Sequence, residues 1–364
     1  MNEKEIVLLN KILDEGSFFP QKERKSREQR LDELMLWYDK YAEINEFYNV
    51  WGLDCVDSTD NDIWLDHGIL RKQRYEINSK FICDGDVFPT NYTAITRDKS
   101  MFEAFAEQTL GDSTKFVKSY AFFKGYHFQS QEGDYETRKQ DTFEAFIKRH
   151  EGETLIIKKA TGCSGCVVYV CKIKNGKIIR DKEYSPQEYM DSLLSATATW
   201  MLQPFVKQHE FMEKLNADAV NIIRIVTFNT GKRVFAVPAM LVYARNDTEV
   251  CNSDQGSYCD GISMGGVIEE KALDWFGGRY VQCPVGGERI PYYDEVKELV
   301  LTLHKALPQL FTIGWDVALT SNGPLVFEGN DGWCPYVNEW SPETALRPTW
   351  NMAVEERNNY YKMF

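Results

Sequence analysis

The sequence predicts an α+β fold that contains both β-hairpins and amphipathic helices. Three stretches support this prediction. Residues 312–331 hold two runs rich in β-branched and aromatic residues around a Thr-Ser-Asn-Gly turn, which is the pattern of a hairpin. Residues 154–173 have the pattern of a strand, a glycine-bearing loop and a second strand. Residues 294–307 carry an apolar stripe at helical spacing and are followed by Pro308, as expected for an amphipathic helix.

Composition places the chain among globular proteins and disfavours several kinds of partner. Of its 364 residues, 43% are apolar and 13% aromatic, which is enough for a large core. The formal net charge of −13 argues against a nucleic-acid partner, whose phosphates would be repelled. No apolar run reaches the length of about 18 residues needed for a membrane span, and the N-terminus lacks the pattern of a signal peptide. We therefore expect the nine cysteines to be reduced thiols in the cytoplasm.

The first part of the chain is expected to be mostly helical. Residues 3–14 have apolar side chains at helical spacing, and residues 31–51 are helical in pattern and unusually aromatic, which indicates a packed face. Between residues 58 and 91 the pattern breaks into turns and short segments, so we place a boundary near residue 95.

Three oxygen-bearing side chains interrupt the apolar pattern of the hairpin: Asp316 in its first strand, and Glu328 and Asn330 in its second. Glu328 and Asn330 are two residues apart and share a face. A three-residue loop at 321–323 would place Asp316 opposite Glu328. Two facing carboxylates repel unless a cation lies between them, and such hard oxygen ligands favour Mg²⁺ completed by water and nucleotide phosphates. A polar face exposed to solvent is the alternative, which the apolar neighbours of these positions disfavour.

The predicted strand, loop and strand at 154–173 have the features of a phosphate-binding segment. Lys158 and Lys159 end the first strand, and Gly162, Ser164 and Gly165 follow in the loop. Backbone N–H groups of such a loop can surround phosphate oxygens while a lysine supplies a point charge. A plain hairpin that carries two lysines is the alternative, and the pattern leaves open which lysine faces the phosphates.

A further predicted strand, which begins at Asn221, carries a candidate catalytic residue. Asn221 and Arg224 lie on opposite faces of this strand by its period of two, so only one of them is expected to face the site. We favour Arg224, because a guanidinium matches phosphoryl oxygens and developing negative charge. A structural salt bridge at Arg224 is the alternative.

The segment GWDVALTSNGPLVFEGN resembles the metal-binding hairpin of ATP-grasp enzymes, in which an Asp followed by Glu-x-Asn holds Mg²⁺ against ATP. It is most similar to the sugar-transfer-associated ATP-grasp family, relatives of the carboxylate–amine ligases, and the resemblance covers roughly residues 60 to 340. The resemblance implies an ATP-grasp fold, in which two α+β lobes hold ATP between them. It also implies that Asp316, Glu328 and Asn330 bind the metal.

The same resemblance implies which residues bind the phosphates. Lys99 matches the lysine of the family's upstream Asp–Lys pair, and Lys158 matches the lysine at the end of a strand in the first lobe. Ser164 and Gly165 match the small-residue lid that follows this strand. The chain departs from the family at Lys159, where proline is usual.

In ATP-grasp proteins the linker between the lobes carries the adenine through main-chain groups and a nearby acidic residue. The resemblance places Phe205 and Val206 in this linker, and Gln203 replaces the usual Glu with an amide that can meet the adenine amino group. Glu210 stands at the position of the family's ribose-binding acid, and His209 is a neighbouring candidate. The chain is then expected to have a mostly helical region at residues 1–95, a first lobe with the lid loop at 96–205, and a second lobe with the metal hairpin at 206–364.

The activity implied by the family is ATP-dependent ligation of a small-molecule carboxylate to a small-molecule amine through an acylphosphate, with ATP and Mg²⁺ as cofactors. The family name adds a link to glycan assembly. Arg245, Asn252 and Arg279 lie in a long polar connection and are candidate substrate contacts, with ordinary surface residues as the alternative. Two other functions stay open: a small-molecule kinase on the same fold, and a nucleotide-binding protein without turnover, which Gln203 and Lys159 mildly favour.

Overall fold

The strands form two antiparallel sheets of seven and eight strands, each packed against helices, so the predicted α+β fold is confirmed. No helix in the part of the chain seen here is long and apolar enough to cross a membrane. This computed structural model describes residues 1–65, 67–79, 92–162, 168–194, 198–245, 248, 251, 256–335 and 338–362.

Helices make up much of the described part of the chain before residue 111. Its helices are α1 (Glu3–Asp14), α2 (Arg27–Tyr41) and α3 (His67–Ser79), followed by α4 (Ala94–Arg97) and α5 (Lys99–Leu110). Asn2 and Ser26 begin α1 and α2 with capping boxes, which satisfy N–H groups that have no partner inside a helix. The aromatic stretch is a packed face, because its side chains join a buried cluster with α1.

The first sheet is built from short strands between residues 121 and 204: β1 (Ala121–Lys124), β2 (His127–Ser130), β3 (Thr154–Lys159), β4 (Val168–Lys174), β5 (Lys177–Ile179), β6 (Glu183–Tyr184) and β7 (Trp200–Pro204). Their order is β2-β1-β7-β3-β4-β5-β6. The nearby helices are α6 (Tyr135–Gln140), α7 (Phe143–Arg149) and α8 (Pro186–Leu193). One face of the sheet packs against α7 and α8 through a cluster that includes Phe146, Ile157 and Tyr189.

The second sheet contains the predicted hairpin. Its strands are β8 (Ile222–Asn229), β9 (Val234–Ala236), β10 (Ala239–Tyr243), β11 (Tyr258–Ile262), β12 (Lys271–Asp274), β13 (Arg279–Gln282), β14 (Thr312–Thr320) and β15 (Gly323–Asn330). Their order is β13-β12-β11-β10-β8-β14-β15, with β9 paired to β8. The remaining helices are α9 (Glu210–Glu213), α10 (Tyr293–Lys305) and α11 (Arg347–Tyr361).

Helices cover both faces of the second sheet. The predicted helix at 294–307 is α10, and its stripe packs with α5 against the face that carries Ile223, Ile225 and Trp315. The opposite face carries Val226 and Phe228, which pack against α3 and α11. Arg224 lies on this second face, because side chains alternate along β8.

Backbone contacts join the two sheets at the site. The N–H of Lys99 donates to the carbonyl of Ala160 at 2.8 Å, which ties the start of α5 to the chain just beyond β3. Phe116 forms a parallel bridge to Val326 on β15. The first turn of α5 therefore lies between the first sheet and the hairpin. The division of the chain after residues 95 and 205 stays a proposal.

Candidate active site

The hairpin of β14 and β15 brings two carboxylates face to face. Its ladder is regular from the turn to the pair Val317–Val326 and then shifts by one residue, so that Asp316 lies opposite Glu328. The extra residue of this β-bulge is Phe327. The acidic side chains therefore share one face of the sheet.

The predicted three-residue loop of this hairpin is wrong. Thr320 pairs with Gly323, which leaves a loop of two residues. The Thr320 hydroxyl closes this turn, because it donates to the carbonyl of Gly323 at 2.9 Å and accepts from a loop N–H at 3.1 Å. With a two-residue loop, a regular ladder would turn Asp316 and Glu328 to opposite faces. The bulge restores the facing pair.

Each of the two carboxylates is paired with a cation of the protein. Arg224 lies opposite Asp316 on β8 and binds both oxygens of its carboxylate, with Nη2 2.8 Å from Oδ2. The Nζ of Lys99 lies 3.2 Å from Oε2 of Glu328. The Asn330 amide nitrogen lies 3.4 Å from both Asp316 and Glu328. Arg224 and Lys99 therefore offset the repulsion that we expected between the two carboxylates.

Burial and these cations act on the protonation of the two carboxylates. Burial raises the pKa of Asp316, and Arg224 offsets only part of this effect. Burial would also raise the pKa of Glu328, but Lys99 and Lys158 together hold it below its usual range. Glu328 is therefore the carboxylate that stays ionised as the pH falls.

The structure separates the two lysines that the sequence leaves unresolved. Lys158 pairs with Met201 and Lys159 with Trp200, so their side chains point to opposite faces of the first sheet. Lys159 Nζ lies 5.6 Å from the ring centroid of Trp200, on the face covered by α7 and α8. Lys158 is buried, and its Nζ lies 6.0 Å from the ring centroid of Phe327. Lys158 is thus the lysine that faces the hairpin.

The lysines beside the hairpin form a positive patch. Burial lowers the pKa of Lys158 to about 8, Glu328 opposes this shift, and Lys99 adds to it. An anion bound here would favour the charged form of Lys158. Lys99 also donates to the carbonyl of Gly162 at 3.1 Å, at the start of the predicted lid. The lid residues Ser164 and Gly165 lie outside the described residues.

Gln203 belongs to a buried hydrogen-bond chain on the same face as Lys158. Its amide nitrogen donates to the hydroxyl of Ser119 at 3.2 Å and to the carbonyl of Val117 at 3.4 Å. The N–H and hydroxyl of Ser119 in turn donate to the carboxylate of Glu103, at 2.8 and 2.6 Å. Glu103 and Ser119 were not among the residues predicted from the sequence. The available signal was the position of Glu103 on α5, four residues after Lys99.

The linker residues Phe205 and Val206 directly follow β7. The N–H of Phe205 donates to the carbonyl of Thr154 at 3.2 Å. Val206 is buried in a small apolar cluster with Val117 and Ala318. Because Ala318 lies on the hairpin face that carries Asp316, this cluster is an apolar surface beside the charged groups.

His209 and Glu210, the two candidates for binding the ribose, differ in whether their side chains already have a partner in the protein. His209 precedes α9, and its Nδ1 accepts the N–H of Phe211 at 3.0 Å. Glu210 begins α9 and is exposed. Its carboxylate makes no hydrogen bond or ion pair within the described part of the chain, so of the two it is Glu210 that stays available to a ligand.

Asn221 and Arg224 occupy opposite sides of the second sheet, as predicted. Asn221 is buried, and its amide nitrogen donates to Gln208 at 3.1 Å and to the carbonyls of Met212 and Asn216 at 2.9 Å each. These bonds make Asn221 structural. Arg224 does form an ion pair, but its partner Asp316 belongs to the same site.

The candidate substrate contacts in the polar connection lie in a different network. Arg245 donates to the carbonyl of Gly256 at 2.7 Å and pairs with Asp274. Arg279 lies 3.6 Å from the same carboxylate. These two arginines therefore hold β12 and its neighbours together and do not reach the hairpin. Asn252 lies outside the described residues.

The donor set of the hairpin fits Mg²⁺. Asp316, Glu328 and Asn330 provide two carboxylates and an amide, and Mg²⁺ commonly takes one or two carboxylates together with water and phosphate oxygens. Within the described ranges, no group of three or more His, Cys, Asp and Glu side chains is arranged to hold a metal ion by itself. Binding would require the amide oxygen of Asn330 to turn inward, and Arg224 and Lys99 to release carboxylate oxygens.

Two antiparallel sheets that meet at the lysines of α5 and β3 and at an acidic hairpin match the arrangement expected of an ATP-grasp protein. The sequence profile of the sugar-transfer associated ATP-grasp family matches residues 86–353, and the chain belongs to this family. The predicted recognition and fold are therefore confirmed. No curated protein sequence matches the chain.

Solved ATP-grasp structures are similar at low identity. N5-carboxyaminoimidazole synthase from Aspergillus clavatus is 9% identical with a TM-score of 0.37, over 65% of this chain and 45% of that one. D-alanine–D-alanine ligase from Bacillus anthracis is 14% identical with a TM-score of 0.40, over 74% and 70%. VanG D-Ala:D-Ser ligase from Enterococcus faecalis is 10% identical with a TM-score of 0.43, over 74% and 62%. The chain thus spans less than half of the first of these proteins, and likeness at this level assigns no substrate.

Proposed function

We propose that the protein is an ATP-dependent ligase that joins a carboxylate to an amine through an acylphosphate, with ATP and Mg²⁺ as cofactors. The observation that carries the proposal is the Lys99–Glu328 ion pair beside the Asp316–Arg224 pair. These two ion pairs bring Lys99 of α5 and Arg224 of β8 into contact with the acidic hairpin. Such a place can neutralise a triphosphate and the charge that develops during phosphoryl transfer.

The residues have distinct roles in this proposal. Lys99 and Lys158 bind the phosphates, while Gln203, Phe205 and Val206 contact the adenine and Glu210 the ribose. Asp316, Glu328 and Asn330 hold Mg²⁺, which when bound neutralises the terminal phosphates. Arg224 is the catalytic residue. It stabilises the negative charge on the phosphoryl oxygens during transfer.

The reaction needs no nucleophile from the protein. A carboxylate oxygen of the acid attacks the γ-phosphorus, and the bond to the β-phosphate oxygen breaks to release ADP. The amine nitrogen then attacks the acyl carbon, loses a proton and displaces inorganic phosphate. Catalysis rests on position and charge neutralisation. In line with the family name, the acid is proposed to be a sugar acid or a related group of a cell-surface glycan, joined to an amine in the cytoplasm.

The test is a screen for ADP release with acids crossed against amines, and with products identified by mass. We expect release only when an acid and an amine are both present, with a product lighter by one water than their sum. Phosphorylation of an alcohol alone would indicate a kinase, and nucleotide binding without release would indicate a protein without turnover. Arg224→Lys should lose ADP release but keep its fold, while Lys159→Met is the matched control.

A further inference from the structure

Helix α3 lies against the face of the second sheet that carries the candidate site. Leu70, Arg74 and Ile77 fall on one side of this helix, at spacings of four and three residues. Leu70 and Ile77 are buried in the cluster that contains Val226, two residues after Arg224 on β8. Arg74 lies between them on this side of the helix and is itself buried.

Arg74 is buried but makes little use of its five N–H donors. It is 6% exposed, and its single hydrogen bond among the described residues is a 3.4 Å contact from Nη1 to the carbonyl of Trp333. Burial lowers the pKa of Arg74 to about 10, with Asp331 opposing this shift. The buried Arg357 is different, because it donates to the carbonyls of Asn229, Pro308 and Gln309.

A second arginine reaches the same end of the hairpin. Arg97, on α4, donates from Nε and Nη2 to both oxygens of Asp331, at 3.1 and 2.8 Å. Thr96 also donates to this carboxylate, at 3.0 Å. Asp331 directly follows Asn330, and more than half of the Arg97 side chain is exposed. The arginines thus flank the end of β15, three residues beyond Glu328, where Lys99 is bound.

We propose that Arg74 and Arg97 form the binding site for the carboxylate of the acid substrate. This inference rests on the proposed ligase function. The lysines lie near Glu328, and the two arginines lie near Asp331. The lysines would bind the phosphates and the arginines would bind the acid, on either side of Asn330. A guanidinium fork matches the two oxygens of a carboxylate. An acid held there would lie beside the metal ligand Asn330, next to the phosphate that it attacks.

The proposal explains why a guanidinium is buried at this place. Arg74 makes one long hydrogen bond within the described residues, and a bound anion would accept hydrogen bonds from its other N–H groups. Asp331 accepts hydrogen bonds from Arg97 and Thr96, but none from Arg74 within the described residues. A carboxylate would add a second acceptor for Arg74 and for the exposed edge of Arg97.

The experiment measures thermal unfolding in the presence of Mg–ADP, with sodium acetate compared against sodium chloride at equal ionic strength. Acetate should raise the melting temperature of the wild-type protein above that in chloride. Arg74→Gln and Arg97→Gln should lose this rise. Lys72→Gln, which removes an exposed charge from the same helix, should keep it. An equal rise in Arg74→Gln and the wild type, or no rise in the wild type, would overturn the proposal.

Two further measurements separate this inference from the ligase proposal. The rise in melting temperature with Mg–ATP should be the same in Arg74→Gln as in the wild type, which also establishes that the variant is folded. With the acid found in the screen, Arg74→Gln should raise the KM for the acid about tenfold or more and leave the KM for ATP unchanged. If ADP release fails for every acid while acetate still acts through Arg74, the ligase proposal fails and the anion site remains. If KM changes for ATP alone, the anion site is wrong.

Discussion

Lys99 and Glu328 form an ion pair, 3.2 Å from Nζ to Oε2, that joins the first turn of α5 to the bulged strand of the hairpin. Both side chains are mostly buried, with 17% and 23% of their areas exposed. The pair is therefore both a structural link and a part of the proposed phosphate site. A ligand that draws Lys99 toward its phosphates would free an oxygen of Glu328 for a metal.

Glu328→Gln should lower the stability of the nucleotide-free protein, because Lys99 and the buried Lys158 would lose their shared counter-charge. We expect a loss of about 1–3 kcal/mol in the free energy of unfolding by urea, below the range for a fully buried pair. ADP release should be abolished. Glu107→Gln, which breaks an exposed pair with Lys118, is the matched control and should cost about 0–1 kcal/mol. A gain in stability in Glu328→Gln would mean that repulsion from Asp316 outweighs the pairing.

Lys158→Met should weaken binding of Mg–ATP about 10- to 100-fold, because Lys158 faces the hairpin and its charge would be lost from the phosphate site. Lys159→Met should change the affinity little, since Lys159 lies over Trp200 on the other face of the sheet. Calorimetric titration of both variants measures the difference. Equal losses in the two variants would contradict the assignment.

The sequence predicts the elements whose patterns are local. The helix at 294–307 and both strands of the hairpin lie where expected. The loop length of the hairpin was not predicted correctly, because a side-chain bond of Thr320 closes a shorter turn. The bulge could not be predicted either, since Phe327 packs with residues far away in the sequence.

Contacts between site residues that are far apart in the sequence could not be predicted from the sequence either. The alternation of side chains along a strand places Lys158 and Lys159 on opposite faces of the sheet. Only the packing of α7 and α8 shows which of these faces is buried in the core. Arg97 and Asp331 are 234 residues apart, and their contact depends on how α4 meets the end of β15. Local motifs therefore indicated the acidic hairpin and the candidates Lys99, Lys158 and Arg224, while the ion pairs that these residues form required the tertiary structure.

The hydrogen-bond chain from Glu103 through Ser119 to Gln203 should set the preference of the protein for ATP over GTP. A carboxylate only accepts hydrogen bonds, so the Ser119 hydroxyl donates to Glu103 and accepts from the Gln203 amide nitrogen. This order leaves the amide oxygen of Gln203 to accept from the adenine amino group and to repel the carbonyl of guanine. Ser119→Ala should therefore reduce the ratio of ATP to GTP affinity about three- to tenfold, measured by titration with both nucleotides. An unchanged ratio would show that other residues distinguish adenine from guanine. Ser192→Ala, at an exposed position of α8, is the control.

Asp260 should make the protein less stable as the pH rises toward neutrality. It is 1% exposed, and neither carboxylate oxygen makes a hydrogen bond of good geometry in the described part of the chain, although the Cys283 thiol offsets part of the effect of burial on its pKa. Burial raises the pKa of Asp260 to about 7, with Glu269 and Glu270 adding to the shift. Between the usual pKa of about 4 and this value, the folded state binds more protons than the unfolded state, so the free energy of unfolding falls as the pH increases. The loss contributed by Asp260 should be complete above about pH 7 and reach at most about 4 kcal/mol.

Asp260→Asn tests this, because it removes the titration and keeps the shape of the side chain. Urea unfolding from pH 5 to pH 8 should give a flatter dependence on pH for the variant than for the wild type. The two curves should cross, since the protonated carboxyl of the wild type is tolerated at pH 5 and the buried carboxylate is not tolerated at pH 8. Asp274→Asn is the comparison, because Asp274 is equally buried but paired with Arg245 and Arg279. It should instead lower stability throughout this range, as loss of a paired buried carboxylate does. Parallel curves for the wild type and Asp260→Asn would mean that Asp260 does not titrate between pH 5 and pH 8.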